Sequence, residues 1–109
     1  MLVIEKEQAP LRVDKYGVAR VIGSRVTLDT IVAFYEQGES PEDIVEGFPT
    51  LALGDVYAII AYYLRNKHAV KAYLKQRGLA ARRIRKMVEQ RSNNRDLKKR
   101  LLARRKAAA

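Results

Sequence analysis

Ser40-Pro41-Glu42-Asp43-Ile44-Val45-Glu46-Gly47-Phe48-Pro49-Thr50-Leu51-Ala52-Leu53-Gly54-Asp55-Val56 is the stretch on which the fold turns. Ser40 followed by a proline is a helix start, and an acidic side chain at the third helical position completes the pattern of a capping box. Ile44, Val45 and Phe48 recur at helical spacing, and Pro49 stops the helix after about two turns. Thr50 to Asp55 resets the chain. A long helix then runs from about Leu53 to Asn66, apolar on nearly every side except Asp55 and Arg65. A helix of that kind packs centrally, against neighbours or a second copy of the chain.

Upstream, Leu11-Arg12-Val13 and Val18 to Ile22 flank Asp14-Lys15-Tyr16-Gly17, the layout of a short β-hairpin in which Gly17 supplies a positive φ. After Gly23-Ser24, Thr27 can cap a helix over Leu28 to Gln37, with Ile31, Phe34 and Tyr35 on one face and Gly38 just past its end. Downstream, Lys67 to Gln76 continues the helical pattern through Val70, Tyr73 and Leu74, and Arg77-Gly78 breaks it. Two cationic segments follow, Leu79 to Arg91 and Arg95 to Lys106, separated by Ser92-Asn93-Asn94. Each carries a narrow apolar stripe, too little to fold alone, and each is expected to order when a partner supplies the missing surface. The fold class is therefore mainly α. A short N-terminal β-hairpin leads into a helix-turn-helix-like helical domain over 1–76, and a basic, partly helical C-terminal arm covers 77–109.

The charge divides at the same place. Met1 to Leu64 carries five Lys/Arg against ten Asp/Glu, a formal −5, and Arg65 to Ala109 carries seventeen against two, a formal +15, which together give the net +10. An acidic body with a cationic arm points to a polyanion or an acidic protein surface as the arm's target. The part with mixed composition, about Pro10 to Leu74, is near the size at which one core is only marginally stable, so a homodimer or another partner is expected. The chain has no Cys, which excludes disulfides and thiolate metal sites and suits a reducing cytoplasm. Its longest apolar run, Val56 to Leu64, is far short of the roughly 20 residues that span a bilayer, and Met1 to Lys6 lacks the layout of a signal peptide, so no membrane partner is expected.

Catalytic chemistry finds no foothold. His68 is the only His, and no nucleophile, base or ligand set surrounds it; Glu42, Asp43 and Glu46 are explained by capping and the helix dipole. There is no P-loop, GxGxxG or nucleophile elbow. The chain reads as a non-enzyme without cofactor or metal. The two helices around Pro49 have the outline of a helix-turn-helix. The second offers Asp55, Tyr57, Tyr62 and Tyr63 rather than Arg, Asn or Gln for base edges. Candidate DNA contacts therefore fall on Lys15, Arg20 and Arg25, with Ser24 and Thr27 beside them, or on the arm.

Taken together, Ile22-Gly-Ser-Arg-Val26, Ile31, Tyr35-Glu-Gln-Gly38, Ser40-Pro-Glu-Asp-Ile44, Phe48-Pro-Thr-Leu51, Asp55-Val56 and Ala61-Tyr-Tyr-Leu64 resemble the domain of unknown function 433 family over about Arg20 to Leu74. Gly54 early in the long helix and the basic tail depart from that pattern. The resemblance implies a small helix-turn-helix-like domain similar to VapB-type antitoxins and often encoded beside a PIN-like nuclease. It thus implies an antitoxin that neutralises a PIN-like ribonuclease toxin through the arm and represses its own operon by DNA binding. On that layout an arginine placed among the toxin's metal-binding carboxylates blocks it. The family pattern does not define this tail, and the candidate toxin contacts on it are Arg82, Arg83, Arg85 and Arg91, with Leu79, Ile84, Met87, Val88, Leu97, Leu101 and Leu102 as candidate apolar anchors. Two alternatives stay open: a stand-alone nucleic-acid-binding regulator that uses the basic arm, and a scaffold whose tail docks an acidic partner other than a nuclease.

Overall fold

The computed structural model describes residues 1–108, with the side chains of 79–81 and 105–108 outside the description. Strands β1 (Leu11–Val13) and β2 (Ala19–Val21) pair antiparallel, Arg12 opposite Arg20. Their reversal uses Gly17 at φ 78°, and the Asp14 carboxylate accepts from the backbone N–H groups of Tyr16 and Val18. Those bonds, Val18 first, hold the Asp14 carboxyl below its ordinary value. The two-stranded ribbon is too small to stand alone. It is covered on its inner face, where Ala19 and Val21 are buried in the core.

Helix α1 (Leu28–Glu36) begins at Thr27, whose hydroxyl accepts from the Thr30 N–H, and helix α2 (Pro41–Gly47) begins at Ser40 with both halves of the capping box formed. Helix α3 (Leu53–Arg65) follows the Pro49 turn, and helix α4 (Lys67–Gln76) continues from it after a break at Asn66. These boundaries agree with the expected ones to within a residue or two. One core joins them: Ile31, Phe34, Ile44, Val56, Ile59 and Tyr63 are fully buried. Phe34 meets Phe48 edge to face at 5.5 Å, and Tyr35 meets Tyr63 at 6.3 Å. The expectation that α3 is apolar on all sides resolves into a buried face (Val56, Ile59, Ile60, Tyr63) and an exposed one (Leu53, Tyr57, Leu64).

The arm differs most from expectation. In place of two segments parted at Ser92-Asn93-Asn94, a single helix α5 runs from Gly78 to Ala108. Its first half lies against the body, with Ile84 and Val88 buried in the core cluster. The surface that orders it is thus the chain's own. Arg91 and Arg95 stand on either side of the expected break and both reach Glu39, which keeps the two flanks in helical register. Ser and Asn interrupt a helix by well under 1 kcal/mol each, less than a second nucleation costs. The outer half projects away from the core. The radius of gyration, 16.7 Å, exceeds the roughly 13 Å of a compact domain of this length.

Candidate functional site

The surface with the most unassigned chemistry is α5 and the body face that receives it. Two polar anchors fix its start and middle. At the start, Arg77 Nε donates to Asp29 Oδ2 at 2.8 Å, and Tyr73 donates its hydroxyl proton to Asp29 Oδ1 at 2.9 Å while accepting from the Ala19 N–H. Asp29 is buried, so hairpin, α1 and the α4–α5 junction are tied at one carboxylate. Burial and the Asp29 hydrogen bond raise the Tyr73 phenol above its ordinary value.

At the middle, Arg91 Nη2 donates to the Asp43 carbonyl at 2.6 Å and lies 3.1 Å from Glu39 Oε1, with its guanidinium 5.0 Å from the centre of the Phe34 ring. Arg95 adds weaker contacts to Glu39 and Asp43 at 3.6 and 3.7 Å. Glu39 is buried, and its Oε1 has charge partners but no well-formed hydrogen bond. Burial therefore pushes its carboxyl above the ordinary value, against the pull of Arg91 and Arg95. Asp43 moves the other way, held low chiefly by the Ser40 N–H of the capping box.

Around this seat the expected contacts separate into groups. Ile84 and Val88 lie in this chain's core and Arg91 on its body, while the Leu79 side chain lies outside the described residues. Arg82, Arg83 and Arg85 are exposed, with Met87 partly so. An open groove of about 800 Å³ between α1 and α5 is lined by Arg85, Lys71, Glu36 and Glu89 among others. Leu97, Leu101 and Leu102 are exposed by 48–56% on the projecting half. Residues 82–104 therefore do not act as one surface. The inner half is spent on the body, and the outer half is displayed.

The expected DNA contacts also divide. Arg20 pairs with Asp14 at 3.1 Å and donates to the Arg25 carbonyl, Ser24 accepts from the Val26 N–H, and Thr27 caps α1. Those three have work within the fold. Arg25 and Lys15 are exposed, the latter with its ammonium 5.1 Å from the Tyr16 ring. Among the described residues no group of three potential metal ligands occurs, and no helix is long and apolar enough to cross a membrane. Sequence reasoning missed Glu39 and the second role of Asp43. A carboxylate beside a helix cap is read as capping, and only the packing of α5 shows that it also receives an arginine.

Comparison with known proteins bears on the body. The family described as "Protein of unknown function (DUF433)" matches residues 15–63, from the hairpin turn to near the end of α3. Over that stretch the chain is DUF433-like. The crystal structure of a DUF433 member protein from Anabaena variabilis aligns with a TM-score of 0.53 at 25% identity, covering 62% of this chain and 70% of that one. No curated protein matches. The DUF433-like segment stops before α4 and α5.

Proposed function

We propose that this chain acts by binding rather than catalysis, as an antitoxin-type protein whose projecting α5 docks on an acidic partner, a PIN-like ribonuclease toxin. One observation carries the reading: Leu97, Leu101 and Leu102 stand exposed on a helix that also bears Lys98, Lys99, Arg100 and Arg104. Exposed leucines on a cationic helix suit a groove with an acidic rim, where the apolar residues anchor and the cations orient. A simple polyanion coat has no use for them. The DUF433-like body supports the same reading through the resemblance to VapB-type antitoxins. The exposed Leu53, Tyr57 and Leu64 of α3 support a homodimer of that body. Operator binding, with Lys15 and Arg25 on phosphates, is the accompanying activity.

The test is a ribonuclease assay with a PIN-like nuclease, taken from the reading frame beside this chain where one is encoded there. Wild-type chain should inhibit RNA cleavage, and Leu97→Asp with Leu101→Asp should abolish inhibition without loss of fold. Inhibition by the double variant equal to wild type would remove α5 as the docking element.

A further inference from the structure

We infer that Phe34, Glu39, Asp43 and Gly47 form a guanidinium-selective site that clamps α5 to the body, occupied by Arg91 of the same chain. Three features make it a built site rather than a surface ion pair. A planar cation lies over the Phe34 ring at 5.0 Å, an arrangement that suits guanidinium better than a strongly hydrated ammonium. The polar partners are of two kinds, a buried carboxylate 3.1 Å away and the Asp43 carbonyl at 2.6 Å, so charge alone does not satisfy it. Gly47 supplies the space: a Cβ there would overlap the Arg91 guanidinium, with Nη1 the nearest atom. Gly47 ends α2 and does not have a positive φ, so the backbone there places no demand for glycine. The cradle does.

The site gives α5 a lock at its midpoint, between the buried Ile84 and Val88 and the exposed leucines. It also removes Arg91 from the residues available to a partner while the helix is docked. The clamp stands whether or not α5 has a partner.

The experiment is amide exchange on the full-length chain without partner, read on the amides between 82 and 95. Arg91→Ala should speed their exchange on the order of tenfold or more while leaving α3 protected, and Arg91→Lys, which keeps the charge, should behave nearly as badly. Methylguanidinium at millimolar concentration should restore protection to Arg91→Ala, whereas methylammonium should not. The glycine supplies the sign test. Gly47→Ala should loosen α5 in the wild-type background, because the guanidinium sits at the end of a flexible side chain and swings out. With Arg91→Ala already present, Gly47→Ala should be neutral or stabilising, since alanine is the better helix former. Full protection in Arg91→Lys, or a Gly47→Ala effect of the same size in both backgrounds, would overturn the site.

Discussion

Asp29 joins three parts of the fold through one side chain. It is buried, holds Arg77 and Tyr73, and through Tyr73 reaches the β2 backbone. Asp29→Ala strands the Arg77 guanidinium, and removing one member of a buried pair is costly because the other stays desolvated. Arg77 is partly exposed and can turn to water, so a loss of about 2–4 kcal/mol is expected, read as a lower urea midpoint at unchanged slope. A loss within 0.5 kcal/mol or so would mean that the junction is not held there. Tyr63 makes the second residue-level prediction. Its hydroxyl donates to Glu36 at 2.6 Å, and burial first, then Glu36, pushes its pKa from 10.0 up to about 12. The unfolded chain releases that proton near 10.0 and the folded chain near 12, so the associated stability is full below pH 10 and lost as pH rises to about 12. Tyr63→Phe should flatten that alkaline decline. Tyr57 and Tyr73 shift the same way, so a residual slope remains. An identical slope in wild type and Tyr63→Phe would place the cause elsewhere.

What was legible in the sequence was local. Thr27, Ser40 and Gly17 each act through neighbours within four residues, and the structure uses them as their spacing implies. The address of an apolar stripe is not local. Ile84 and Val88 announce that α5 needs an apolar surface, and the sequence does not say whose; the structure supplies α1 and its neighbours in the core. Likewise Arg91 reaches across 48 residues to Asp43, a pairing that no spacing rule encodes. This separates two substitutions that the apolar pattern alone treats alike. Ile84→Asp buries a carboxylate without a partner and should cost about 3 kcal/mol or more in stability. Leu101→Asp, at a site 54% exposed, should leave the urea midpoint within about 0.5 kcal/mol of wild type. A large stability loss in Leu101→Asp would show that the outer half of α5 is also packed, and would withdraw it as a display surface.

At the scale of the whole molecule, the formal −5 of residues 1–64 and the +15 beyond them meet face to face, since α5 lies on the acidic body through Glu39 and Asp43, and Arg77 just before it pairs with Asp29. Part of the arm's charge is therefore neutralised internally, and an external partner meets exposed cations that include Arg82, Arg83, Arg85 and Lys86 on the inner half, and Lys98, Lys99, Arg100 and Arg104 on the outer. Charge and geometry can be told apart on that set. Arg→Lys at positions 82, 83 and 85 keeps every charge but loses the planar fork that pairs with carboxylates in two places at once. If the arm only coats nucleic acid, the triple variant should bind RNA with unchanged affinity and an unchanged salt slope of about −0.7 per phosphate neutralised, because counterion release counts charges and not shapes. If the arm engages a carboxylate-lined nuclease, the same variant should inhibit at least about tenfold less well, since each charged hydrogen bond of this kind is worth roughly 1.5–3 kcal/mol. Because those three arginines are exposed and outside the Arg91 clamp, their replacement leaves the docked helix in place, and any loss of inhibition is read at the partner rather than in the fold. Undiminished inhibition by the triple variant would move the charged contacts to the outer half, where Lys98, Lys99, Arg100 and Arg104 flank the exposed leucines.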